Sequence, residues 1–258
     1  MKSPVLDPFQ NPKSIGHHMS HPAYVEKLLQ QYGAGDRQFQ GITLREMDLV
    51  NLNLAHIDLS QSDLRQSRLG KTNFSHGNFS GTDFSEAILW GTNLSHANLK
   101  DAVLREAELS GAILSDADLS KAFLVRAVLS GANLCNANLD GALLIETDFR
   151  SGSDQPTTLS KASLKGANLC YANLSGALLY QADLQGAQLC RAIFQQRSLQ
   201  SLAVSDLTEA NLEGANLSYS NLNGVVLCRA NLRGADLTGV CLEGANLEGA
   251  ILPDGSIS

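Results

Sequence analysis

His56, His76 and His96 recur at intervals of twenty residues, followed at the same interval by Asp116 and Asn136, and Cys170 and Cys190 share that spacing. Imidazoles held side by side can share a metal ion, and thiols held side by side can oxidise to a disulfide. Both chemistries need a fold that stacks each residue on the one twenty positions later. Other reactive sets are missing from the sequence: there is no phosphate-binding glycine loop, no nucleophile elbow, no Cys-x-x-Cys pair and no Ser/His/Asp set in a plausible cleft. Five cysteines, an odd number in a chain of 258 residues, point to free thiols in a reducing compartment.

The elements that must carry these residues are repeats. From Leu44 to Phe149 a Leu or Phe falls on every fifth position, usually two places after a small residue. A period of five is neither the 3.6 of an α-helix nor the 3.5 of a coiled coil, and simple strand alternation would not break after each apolar pair. Within one five-residue word the small residue and the Leu lie two apart and share a face, while the residues beside the Leu point outward. The next position must turn a corner, and glycine often stands there, as at Gly81, Gly111 and Gly131, where positive φ is needed. Leu, Phe and small side chains alternating inside a narrow coil fill it, which leaves no pocket for a substrate. The chain is expected not to be an enzyme and to hold no cofactor or metal.

These words resemble the pentapeptide repeat family over roughly residues 39–252. The resemblance implies an all-β solenoid, a right-handed quadrilateral β-helix with four words, twenty residues, per coil. There are 22 words from Leu44 to Phe149, nine from Leu159 to Leu199 and ten from Leu207 to Leu252. That amounts to about ten coils and a rod on the order of 50 Å long at the usual strand spacing. Two irregularities interrupt it: a loop at 150–158 and a register break near 200–205, where Leu199 and Leu207 are eight apart. Ahead of the rod, residues 1–38 form an extension in which Tyr24, Val25, Leu28, Leu29 and Tyr32 make one helical stripe. A capping helix is expected over about 22–32, with Gly33 as its stop, covering a first coil whose small positions are bulky (Ile42, Met47, Leu52, Ile57). The tail after Ile251 offers no second helix for capping or dimerisation, so a monomer is expected. Residues 1–18 contain neither a signal-peptide core nor a membrane span, which makes the cytoplasm the expected location.

A twenty-residue frame sorts outward side chains into columns. His56, His76 and His96 stack, but stacked side chains point parallel instead of converging, so a solvated corner column is expected. For the same reason Cys170 and Cys190 are expected as two half-exposed reduced thiols, since parallel side chains in register rarely meet disulfide torsions. One side is unusually apolar: Val103, Phe123 and Leu143, with Val125 and Ile145 beside them, occupy positions where other coils are assigned Asp63, Asp83, Asp183, Arg45, Arg65 or Lys165. The adjacent side adds Ile88, Val128 and Trp90, the single tryptophan. Because these fall in neighbouring coils, a protein interface is expected here. Net charge is −7, and no basic stripe for nucleic acid is evident.

Several stretches are more specific than the period. Leu28–Phe39, Ser67–His76, Ser85–Gly91, Leu104–Ala107 and Pro253–Ile257 include residues that the repeat does not dictate, notably Lys71 and Trp90. They resemble a cyanobacterial, heterocyst-regulating branch of the family. The resemblance implies a protein-binding scaffold whose partner is the heterocyst master regulator HetR, and which interferes with inhibition of HetR by a short Arg-Gly-Ser-Gly-Arg peptide. Arg150, Ser151, Gly152, Ser153 and Asp154 form a candidate interaction loop that echoes this peptide in a different order. The alternative branch mimics duplex DNA and binds gyrase. Weak charge density and the missing C-terminal dimerisation helix stand against it.

Overall fold

The structure, a computed structural model, describes residues 21–195 and 204–258. Parallel bridges join residues twenty apart, as in Thr43 to Asp63 to Asp83 to Val103, and successive bridged positions lie five residues apart. The chain therefore winds as a β-helix with four bridged sites per turn. We number the sides by their bridged columns: the first contains Asp58, Asn78 and Asn98; the second Asp83, Val103 and Phe123; the third Ile88, Glu108 and Val128; the fourth Asn93, Ile113 and Asn133.

Each word satisfies its own backbone. The inward Leu54 donates its N–H to Asn73 O one coil on at 2.8 Å, and Asn73 donates back to Leu52 O at 2.8 Å. A turn closes the corner, with Met47 N–H donating to Leu44 O at 3.2 Å. Its third residue has positive φ at every glycine corner expected above, but also at many other residue types, such as Glu46 (60°) and His56 (61°). An L-residue in this left-handed region is unfavourable. The strain is offset because the corner N–H also enters the ladder: Glu46 donates to Arg65 O at 3.0 Å. The frequent Asn or Asp before each Leu has a local cause too, since its side chain accepts the N–H two residues on, as Asn73 does from Ser75 at 3.1 Å.

Inward Leu and Phe side chains are buried along the rod as far as Leu232, those of the last coil (Leu237, Leu242, Leu247) are partly buried, and Phe74, Phe79 and Phe84 pack edge-on or tilted with centroids 5.1 and 5.6 Å apart. Where the small position is Thr, its hydroxyl is buried and bonded, Thr82 to Leu59 O at 2.7 Å and Thr92 to Leu69 O at 3.0 Å. Helix α1, His21–Gly33, buries Leu28 in this core and lays Tyr24, Val25, Leu29 and Tyr32 against it. Tyr32 also donates its hydroxyl to Ala55 O at 2.9 Å, tying the helix to the first coil. At the far end Ile257 pairs antiparallel with Ile251.

Two steps between bridged positions are long: ten residues from Asp148 to Thr158 and thirteen from Ile193 to Asp206. Both join the third side to the fourth, so both insertions fall at the same corner, two coils apart. Leu199, counted among the repeat centres, and residues 200–203 of the expected register break lie outside the described residues. The first insertion corrects the sequence-based columns. Asn138 bridges Ser163 and Ser163 bridges Asp183, so Asp183 and the neighbouring Lys165 stand on the first side and not beside Phe123. Five residues outside the coil had moved every later position by one side relative to a strict count of twenty.

Candidate protein-binding surface

The second side changes character along the rod. Its early coils are charged: Arg65 is 2.6 Å from Asp63 and 3.7 Å from Asp83, and its hydrogen bond holds the Asp63 carboxyl below the usual carboxylate range. Val103, Phe123 and Leu143 then bridge one another in consecutive coils. Val125 and Ile145 follow in the next outward column, where Arg126 N–H donates to Ile145 O at 3.0 Å. Phe123 is 43% exposed and the other four are half-buried. Val128 lies across the corner on the third side, with Glu108 and Asp148 as its bridged neighbours. At that corner Arg126 is paired with Glu146 at 2.8 Å.

Six of the eight candidate patch residues are thus placed together. Ile88 and Trp90 stand apart, because Glu108 lies between Ile88 and Val128 in their column. Trp90 sits at the far edge of the third side, its indole laid over Gly70, where a Cβ would come within 2.6 Å of Nε1. The Lys71 ammonium lies 4.7 Å from the indole centroid.

The candidate loop leaves the rod at that same far edge and is largely committed to the fold. Arg150 binds Asp148 with contacts of 2.7 and 3.0 Å. Ser151 donates to Gly176 O at 2.8 Å, and Gly152 packs on Gly131. Ser153 and Asp154 are exposed at the tip.

Past the patch the same columns continue with residues that the strict twenty-residue count had assigned elsewhere. Glu146 N–H donates to Cys170 O at 3.2 Å and Tyr171 N–H to Cys190 O at 3.0 Å, so Val125, Ile145, Cys170 and Cys190 form one outward row. Cys170 and Cys190 are disulfide-bonded with Cα atoms 4.7 Å apart, which corrects the expectation of two reduced thiols. Adjacent coils sit one strand spacing apart, within the range that a disulfide spans. Cys135, Cys228 and Cys241 are free. The histidine column stacks as expected: His56, His76 and His96 have centroids 4.9 and 4.7 Å apart and planes within 9° and 6° of parallel. Among the described residues no group of three or more His, Cys, Asp or Glu is placed to hold a metal ion, and no helix is long and apolar enough to cross a membrane.

A profile of pentapeptide repeats matches eight copies at residues 38–76, 78–116, 112–150, 159–196 and 210–249, so the chain belongs to the pentapeptide repeat family, whose fold is a right-handed β-helix. Among solved structures it is similar to HetL, a pentapeptide repeat protein involved in heterocyst differentiation regulation from the cyanobacterium Nostoc sp. strain PCC 7120. The two share 52% identity over 90% of this chain and 98% of that chain, with a TM-score of 0.88. Rfr23 from the cyanobacterium Cyanothece 51142 matches at 26% identity over 58% of this chain and 98% of its own, with a TM-score of 0.23. QnrB1, a plasmid-mediated fluoroquinolone resistance protein, matches at 23% identity over 84% and 91%, with a TM-score of 0.27. These last two superpose too poorly to carry an argument. A comparison with curated protein sequences found no match.

Proposed function

We propose that this chain is a non-enzymatic, cytoplasmic scaffold of about ten four-word coils that regulates heterocyst differentiation by binding HetR and opposing its inhibitory peptide. The observation that carries the reading is the likeness to HetL over nearly the whole of that chain. The second-side patch supplies a physical means, an apolar row on a rigid support with Phe123 at its centre. A gyrase-binding DNA mimic is not favoured, because the apolar patch interrupts the charge that duplex mimicry needs and the net charge is only −7.

The test is a titration of the purified chain against HetR with and without the Arg-Gly-Ser-Gly-Arg peptide, repeated with Phe123→Asp. Saturable binding that the peptide weakens, and that the substitution reduces by at least about tenfold, is expected. Absence of binding by the unaltered chain refutes the partner; equal binding by Phe123→Asp refutes the patch.

A further inference from the structure

Beyond the disulfide, the corner between the second and third sides carries Tyr171, Arg191 and Tyr219 in consecutive coils. The Arg191 guanidinium lies 5.9 Å from one ring centroid and 5.6 Å from the other. Tyr171 is 52% exposed and Tyr219 61%. Tyr219 is held in place from below, since its ring lies over Gly239, where a Cβ would come within 2.6 Å of it. Arg126, earlier in this corner column, is neutralised by Glu146 and Glu106. Arg191 has no ion pair among the described residues, and the following stretch 196–203 contains no Asp or Glu.

An exposed arginine oriented by two aromatic rings, with no carboxylate paired to it among the described residues, is built to receive one from outside. Its planar fork matches a carboxylate through two parallel hydrogen bonds, and the rings hold the guanidinium in position. With one free cation the ladder lacks the charge array that a nucleic-acid backbone requires. The apolar row leading to it through Ile145 and the Cys170–Cys190 bridge suits side chains flanking the acid.

We infer that the Tyr171–Arg191–Tyr219 ladder is the polar anchor of the partner surface and receives an aspartate or glutamate of a partner protein, flanked by apolar residues. This rests on the scaffold reading above, but not on HetR being the partner. The probe is therefore a pair of blocked peptides, acetyl-Leu-Glu-Leu-amide and acetyl-Leu-Gln-Leu-amide, titrated into the full chain while the Arg191 Nε–H resonance is followed by NMR. A saturable shift with the glutamate peptide, at least about tenfold stronger than with the glutamine peptide, is expected. It should weaken as salt rises and vanish in Tyr171→Ala/Tyr219→Ala. Equal responses to the two peptides, or no saturable shift, overturn the anchor. In a parallel titration with HetR, Arg191→Gln should bind at least about tenfold more weakly. If HetR is not bound at all while the peptides discriminate, the anchor stands and the choice of partner falls; if HetR binds both forms equally and the peptides do not discriminate, the reverse holds.

Discussion

Single residues decide how the core is filled, and Gly77 shows the rule most sharply. It occupies the small inward position before Phe79, and a Cβ there would lie 2.5 Å from the Phe79 ring. Ala97 fills the equivalent position one coil on, before Leu99, and both are buried without conflict. The Phe ring takes the room that a methyl group uses elsewhere, so the two positions are coupled by volume. Gly77→Ala should therefore overpack the coil and destabilise it by about 1–3 kcal/mol. Adding Phe79→Leu should recover part of that loss, because the pair then reads as an ordinary Ala–Leu word. Denaturant unfolding of the two single variants and the double variant measures the coupling. Strict additivity would show that the two side chains do not compete for the same space.

The two insertions are closed by one device. Thr157 donates its hydroxyl to Arg150 O at 2.6 Å and accepts Gly131 N–H at 2.8 Å, tying both ends of the loop to the coil before it. Ser205 repeats the pattern: its hydroxyl bonds Leu174 O at 2.8 Å and Phe194 O, and accepts Gly176 N–H at 3.0 Å. Each hydroxyl is buried; removing that of Ser205 takes away the bond of the Gly176 N–H, and removing that of Thr157 leaves the Gly131 N–H only a 3.3 Å bond to Arg150 O, a loss of about 1–3 kcal/mol in each case. Thr157→Val should speed amide exchange at Gly131 while leaving Gly176 unchanged, and Ser205→Ala should do the opposite. Exchange that rises at both glycines in either variant would mean the latches are not local. The five-residue period, the inward positions, the capping stripe and the stacked histidines were legible in the sequence, because each rests on local spacing. The side assignment after residue 150 was not. A five-residue insertion preserves the period and yet rotates every later word by one side, which is why Lys165 and Asp183 were misplaced, why Cys170 and Cys190 were not seen to continue the row of Val125 and Ile145, and why Tyr171 and Arg191 were not seen to continue the corner column of Arg126 and Glu146. The disulfide was missed for another reason: parallel side-chain direction was weighed above the short distance between neighbouring coils.

At the scale of the whole rod, function depends on angular register, because a row of side chains exists only if successive coils contain whole numbers of words. Residues 152–156 lie outside that count. Phe149 is a repeat centre, Arg150 and Ser151 take the outward and corner positions, and Thr157 resumes the next word at its small inward place. Deleting 152–156 therefore joins two half-words into one regular word and leaves Phe123, Ile145 and Cys170 on the side they now occupy. Deleting five residues from within a side, 116–120, also removes one word but rotates everything after it. Val103 would stay on the second side while Phe123 moved to the first, which breaks the row between them. Solenoids tolerate such changes because each repeat contacts only its neighbours. Both variants should keep a β-rich circular dichroism spectrum and a cooperative melt, and they should part company in partner binding. The deletion of 152–156 should bind HetR within about threefold of the full chain, whereas the deletion of 116–120 should lose at least about tenfold. Equal losses in both would mean that the loop itself is the contact; equal retention would mean that the partner does not read the second-side row.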